Sequence, residues 1–293
     1  MNTTHKPLKV AFFGTPQIAV WVLEELEHAG IVPALLVTNP DAPQGRKNVL
    51  TPPPVKVWGE ERHIPVLQPE SLRDSGLAER LSIEGFNLFI VAAYGKIVPK
   101  TFLDIPTHGV LNVHPSLLPH YRGASPIRSA ILNDDRDTGV TIMLMDEEMD
   151  HGPILAQEHA AIAETEWPIP GNVLDEHLAR HGGALLARTI PLWIGGDIAP
   201  QEQDHGAATY CAKITRADGE INLDDDPYQN LLKIRAYDGW PGTFFFTEKG
   251  SRQVRIKITN AELATDGSLQ ILRVIPEGKK EMDYTDWARP KST

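Results

Sequence analysis

Asn112, His114 and Asp150 bring an amide, an imidazole and a carboxylate together in two short stretches. The first is residues 111–122, Leu-Asn-Val-His-Pro-Ser-Leu-Leu-Pro-His-Tyr-Arg, and the second the acidic residues 145–152. An amide can donate to the oxygen of a tetrahedral intermediate, an imidazole can hold or move a proton, and a carboxylate can orient that imidazole. The set suits attack of an amine on a carbonyl-type carbon, and hence an acyl-type transferase. Taken without further information, three polar residues satisfying loop hydrogen bonds would account for the pattern equally well.

Other constellations say less. Ser116, two residues past His114 and with Asp150 available, raises a hydrolytic triad as the weaker alternative. No nucleophile elbow surrounds it, and turn formation with a hydrogen bond to a ligand suits it better. His177 and His181 copy the spacing of a zinc helix, but Glu176 precedes the first histidine and no third ligand is near in sequence. They read as surface or half-buried histidines. Asp224, Asp225 and Asp226 read as a solvated turn before Pro227. No metal site is expected.

Residues 8–14 read as a strand ending in a tight turn at Gly14, followed by a helix with Ile18, Val22 and Leu26 four apart. The Gly-x-Gly-x-x-Gly fingerprint is missing, so a Rossmann-like start is expected without a dinucleotide. A strand at residues 34–38 precedes residues 39–54, whose five prolines exclude regular structure and suggest a substrate arm, with a floppy insertion as the other reading. Alternating units continue with helices at 55–62 and 72–83 and strands at 65–68 and 87–93. The last is apolar throughout, as a central parallel strand should be. Tyr94 then falls where such a strand ends, and Asn112 and His114 fall at the end of the next strand, residues 110–113, where open α/β sheets bind ligands.

Ser125 reads as the N-cap of a helix running to Ile131. Strands at 138–145 and 154–159 and a helix at 172–193 complete the first domain. Beyond a boundary near residues 200–206 come a short helix, 231–236, and three strands at 242–247, 253–259 and 268–275. These suggest a small OB-type β module. The fold class is therefore α/β, with residues 1–200 a Rossmann-like, mostly parallel catalytic domain and residues 207–293 an OB-like domain.

The composition, 293 residues with 41% hydrophobic and 23% charged content, supports one large and one small domain. No signal is visible in residues 1–10 and no apolar run approaches the ~20 residues of a membrane span. A cytoplasmic protein without a membrane partner is expected. Cys211 is the only cysteine, which removes intrachain disulfides. The net charge of −11 argues against a general polyanion binder, yet residues 204–293 carry 13 Lys and Arg against 14 Asp and Glu. Residues 249–280 concentrate seven basic against three acidic side chains, a stripe that can face phosphates.

The long stretch Leu-Asn-Val-His-Pro-Ser-Leu-Leu-Pro-His-Tyr-Arg-Gly-Ala-Ser-Pro-Ile from Leu111 resembles the signature of the folate-dependent formyltransferases. Asp-Thr-Gly-Val-Thr-Ile-Met-Leu-Met-Asp-Glu-Glu-Met-Asp-His-Gly from Asp137 is similar to their second motif. Phe-Phe-Gly-Thr-Pro at 12–16, Thr-Asn-Pro-Asp-Ala-Pro-Gln-Gly-Arg at 38–46, Val-Ala-Ala-Tyr-Gly-Lys-Ile at 91–97 and Pro-Glu-Gly-Lys-Lys-Glu-Met at 276–282 resemble the members that formylate methionyl initiator tRNA.

The resemblance implies 10-formyltetrahydrofolate as donor, with Ser116, Leu117, Leu118, Pro119 and Tyr94 lining its pocket largely through backbone groups. It implies Asn112, His114 and Asp150 as the catalytic set. Arg46 and Lys47 would touch the acceptor arm of the tRNA, and a monomer is expected. Family members carry extra strands between the segments equivalent to residues 260–266 and 269–276, so an abbreviated or open barrel is expected here. An amino-sugar acceptor, or a silent RNA-binding module on the same fold, are the alternatives.

Overall fold

Val10–Gly14 (β1) is buried along its whole length, and Gln17–His28 (α1) packs its apolar face, including Val22, Leu23 and Leu26, into the core. Gly14 is needed for closeness. A Cβ there would stand 2.6 Å from Cβ of Ala19 and 2.9 Å from the Ala92 carbonyl oxygen, so this glycine serves strand and helix packing. The structure, a computed structural model, describes residues 7–45, 48–73, 75–249 and 252–289.

After Leu35–Val37 (β2), the proline-rich segment departs from the expected irregular loop. Ala42–Gln44 (β3) and Val49–Thr51 (β4) form an antiparallel hairpin with Pro43 opposite Leu50. Proline is tolerated because both strands of a two-stranded ribbon are edges, where a missing N–H costs no ladder bond. Pro54–Glu61 (α2), Val66–Leu67 (β5), Ser75–Ile83 (α3) and Leu88–Ala92 (β6) follow, then a short helix Lys100–Leu103 (α4) that periodicity does not reveal, and Val110–His114 (β7).

Arg122–Gly123 (β8), Pro126–Leu132 (α5), Gly139–Leu144 (β9), Ile154–His159 (β10) and the long helix Gly171–Gly195 (α6) come next. Ser125 occupies the N-cap position of α5 but makes no side-chain capping bond. The main sheet has the order β10-β9-β7-β6-β1-β2-β5, with β7, β6, β1, β2 and β5 mutually parallel and β9 antiparallel to both of its neighbours, β7 and β10. It is a Rossmann-like sheet, mostly parallel. The order reverses between β1 and β6, the crevice where such sheets place ligands.

The rest of the chain supplies Tyr210–Cys211 (β11), Pro227–Ala236 (α7), Thr243–Lys249 (β12), Arg252–Leu263 (β13), Leu269–Pro276 (β14), Met282–Asp283 (β15) and Tyr284–Ala288 (α8). Asp226, expected in a solvated turn, caps α7 by accepting from the Gln229 amide. Strands β12 to β15 form an antiparallel meander, and Ile234 of α7 joins Phe245, Ile256, Ile258 and Val274 in its core. The sheet is open: among the described residues no ladder joins β15 to β12.

Internal contacts divide the chain into two compact units. One holds the residues up to Arg122 with Gly139–Ala160 and Glu176–Thr209; the other holds Gly123–Thr138, Ala161–Asp175 and the residues from Tyr210. Among the described residues no helix is long and apolar enough to cross a membrane.

Candidate active site

Strand β7 places Asn112 and His114 two residues apart, on one face of the sheet. Its pairing with β9 sets Asn112 beside Met143 and His114 beside Thr141. Asn112 is 9% exposed, and among the described residues no protein group bonds its carboxamide, which leaves that amide available as a donor. The His114 ring is buried. Its Nε2 lies 3.0 Å from the Tyr121 carbonyl oxygen. A carbonyl only accepts, so Nε2 carries the hydrogen and Nδ1 is the nitrogen with a choice.

Nδ1 faces the Asp150 carboxylate, with Oδ1 3.6 Å away. That separation is longer than a direct hydrogen bond and close enough for strong orientation of the ring. Asp150 sits in the left-handed region, φ 52°. Two residues on, Gly152 passes so close to the Leu144 carbonyl that a side chain there would collide with backbone.

Residues 116–119 form a tightly bonded turn after β7. The Ser116 hydroxyl donates to the His120 carbonyl at 2.6 Å, so it builds the turn and is not set against the His114 ring. Thr141 is the hub below it: its hydroxyl donates to the Ser116 carbonyl at 2.7 Å and accepts from the Leu118 amide and from Gln157. The carbonyls of Leu117, Leu118 and Pro119 accept from His120, Gln157 and Thr209 respectively. Leu118 is buried, while Leu117 and Pro119 are half-buried.

At the end of β6 the Tyr94 ring turns into the core, 2% exposed and edge-on to Phe13. Among the described residues its hydroxyl has no partner, and burial pushes its pKa up to about 12. Its carbonyl accepts from Thr15 Oγ1 and Asn39 Nδ2, stitching the ends of β1, β2 and β6 together. Ala93 and Gly95, on either side, are exposed with φ of 48° and 80°. Any ligand contact at this strand end therefore falls to the exposed Ala93 and Gly95 on either side of Tyr94 and not to its ring. Arg46 and Lys47 lie outside the described residues. The hairpin that leads to them is tied down at its base by Asp41, which bonds Gln68 Nε2 and Lys56 Nζ; these bonds hold its carboxyl below the usual range.

Residues 8–169 match the formyl transferase family. The chain belongs to that family. It is a formyl-transferring enzyme. Over 302 residues it is 44% identical to the methionyl-tRNA formyltransferase of Halalkalibacterium halodurans, spanning 96% of this chain and 94% of that protein. Among solved structures, the methionyl-tRNA formyltransferase from Clostridium thermocellum superposes with a TM-score of 0.59 at 15% identity, covering 94% of this chain and 100% of that one. The N-formyltransferase from Helicobacter canadensis, solved with folinic acid and dTDP-3-aminofucose, gives 0.62 at 20% identity and 88% of each chain. These two likenesses establish the fold.

The site also contains residues that spacing does not flag. Arg122, 1% exposed, donates from Nε and Nη2 to Gln203 Oε1 at 3.1 and 2.6 Å, and its Nη2 lies 2.9 Å from Nδ1 of His205. Gln203 Nε2 in turn donates to the carbonyls of Asp150 and Gly152. The His205 ring stacks on His151, centroids 4.0 Å apart, and His151 bonds Asp146. Arg122 belongs to the long motif, but Gln203 stands in the stretch read as an interdomain boundary. His177 and His181 meet edge-on, and His181 bonds Glu158.

Proposed function

We propose that this enzyme transfers the formyl group of 10-formyltetrahydrofolate to the α-amine of methionyl initiator tRNA. The observation that carries the reading is the Asn112 amide, engaged by none of the described residues, on the same strand face as a His114 ring turned toward Asp150. The near full-length similarity to a methionyl-tRNA formyltransferase supports the choice of acceptor.

An isolated α-amine titrates near ~7.7–8.0, so a useful neutral fraction exists around pH 7 and no strong base is needed. The amine nitrogen bonds the formyl carbon, and the carbonyl oxygen becomes an oxyanion. Asn112 donates to it; losing one such donor typically costs about 2.7–4 kcal/mol. The bond from carbon to the folate nitrogen then breaks as the proton of the attacking amine passes to that nitrogen. His114, held by Tyr121 at Nε2, offers Nδ1 for the relay, with Asp150 orienting it. The donor lies along the strand end around Tyr94, where Ala93, Gly95 and Ile97 are exposed, and the turn at 116–119, with Ser116, Leu117, Leu118 and Pro119 shaping its wall.

In this reading residues 1–200 form the catalytic domain and residues 207–293 bind tRNA, the enzyme acting as a cytoplasmic monomer. Arg46 and Lys47 reach the acceptor arm. A groove of about 570 Å³ in the C-terminal sheet is lined by Arg252, Lys279, Arg289 and Trp287 together with Glu248 and Glu277, the latter paired with Arg252, so that Lys279, Arg289 and the Trp287 ring are the groups we assign to phosphate and base contacts. Binding should weaken steeply with salt.

The test is formyl transfer with three acceptors in parallel: methionyl initiator tRNA, methionyl elongator tRNA and an amino-sugar nucleotide. Formylation of the initiator supports the reading. Activity on the amino sugar alone would replace the acceptor, and tRNA binding without any transfer would point to a silent RNA-binding module.

A further inference from the structure

Gln203 is 5% exposed and every polar valence of its carboxamide is used. The two N–H bonds go to the carbonyls of Asp150 (3.0 Å) and Gly152 (2.7 Å), and Oε1 accepts from Nε and Nη2 of Arg122. Arginine has only donors to offer, so it fixes which way the amide points: a flipped amide would set N–H against guanidinium. The backbone explains how Gln203 arrives there. Ile154 and Gln201 exchange both hydrogen bonds, 2.7 and 2.8 Å, as an antiparallel bridge. Two residues further along each strand, Gln203 stands opposite Gly152, and its side chain supplies the donor that a continuing ladder would have taken from the backbone.

We propose that Gln203 is a positioning residue for the formyl transfer, holding the Asp150 carboxylate at its station beside His114 Nδ1. Asp150 adopts a positive φ, uncommon for any residue but glycine, and its own carbonyl is what Gln203 grips. Turning that peptide would swing the carboxylate away from a ring already pinned at Nε2 by Tyr121. Arg122 acts one step further back, as the group that orients the Gln203 amide. This inference rests on the role given above to Asp150.

Steady-state kinetics of the full-length enzyme test it, with Gln203→Glu, Asp150→Asn and the double variant compared. Gln203→Glu keeps the size and the acceptor for Arg122 but aims a carboxylate oxygen at the two carbonyls. Expected is a fall in kcat of about ten- to a hundredfold, the scale set by small misplacements of a reacting group, with KM for donor and tRNA within about twofold. In the Asp150→Asn background the same change should cost less than about threefold, because the two residues act as one unit. If the glutamate variant does not fold, Gln203→Met keeps the volume, removes the bonds and carries the same test. Full kcat in a folded Gln203 variant alongside an impaired Asp150→Asn overturns the inference alone. Losses that multiply in the double variant do the same. An unimpaired Asp150→Asn overturns the role of Asp150 and the inference with it.

Discussion

His114 Nδ1 stands 3.6 Å from Asp150 Oδ1, while the opposite nitrogen of the same ring is committed to the Tyr121 carbonyl at 3.0 Å. One nitrogen is thereby fixed as a donor and the other is left to exchange a proton under the influence of a carboxylate. Asp150→Asn removes that charge and keeps the shape. Turnover should fall by about 10²-fold or more, the usual scale for acid–base assistance, with donor affinity little changed. An unchanged rate together with lost folate binding would assign Asp150 to the donor pocket instead.

Arg122 should matter to stability as well as to orientation. Replacing it by Met strips the donors from Gln203 Oε1 and His205 Nδ1 in a buried setting. Hydrogen bonds from a charged group contribute about 1.5–3 kcal/mol each, so a loss of at least about 2 kcal/mol is expected, read as a lowered midpoint in urea with an unchanged slope.

Tyr94→Phe should behave in the opposite sense. The hydroxyl it removes is buried without a partner among the described residues, so stability should hold or rise by up to about 1 kcal/mol, and KM for the donor should not move. In an alkaline spectrophotometric titration Tyr94 should ionise only near pH 12, because burial disfavours the phenolate. A large rise in donor KM on losing the hydroxyl would show that the side chain, and not the backbone, meets the folate.

The base of the hairpin should loosen in acid. Asp41 is held below its ordinary range by Gln68 first and Lys56 second. Its contribution to local stability is therefore present above the ordinary Asp value of about 3.9 and is lost as pH falls through the lower folded value. Amide exchange at residues 42–45 and 48–51, compared between pH 5 and pH 2.5, should lose protection relative to the central strands. Asp41→Asn should show the same loss at neutral pH.

The parallel strands were legible because β1 and β6 are unbroken apolar runs, and the Asn112–His114 pair because it closes β7, the neighbouring strand that opens with Val110 and Leu111. The hairpin of β3 and β4 was hidden by its prolines, whose exclusion from strands holds for central strands and lapses on edges. Gln203 was hidden for a different reason. Its importance comes from a bridge between Gln201 and Ile154, 47 residues apart along the chain, and no local pattern announces such a partner. Tyr94 was legible as a position at a strand end but not as a side chain, since the direction of the ring depends on Phe13 and Phe102 packed beneath it.

The most direct test of the account is single-turnover formylation of methionyl initiator tRNA with saturating 10-formyltetrahydrofolate, comparing the wild-type chain with Asn112→Ala. The account predicts that the wild type formylates the α-amine and that the variant, still folded and still binding donor, is slower by about 10²–10³-fold, the cost of one lost oxyanion donor. A wild-type chain that leaves the tRNA unformylated, or a variant that matches it in rate, would contradict the account.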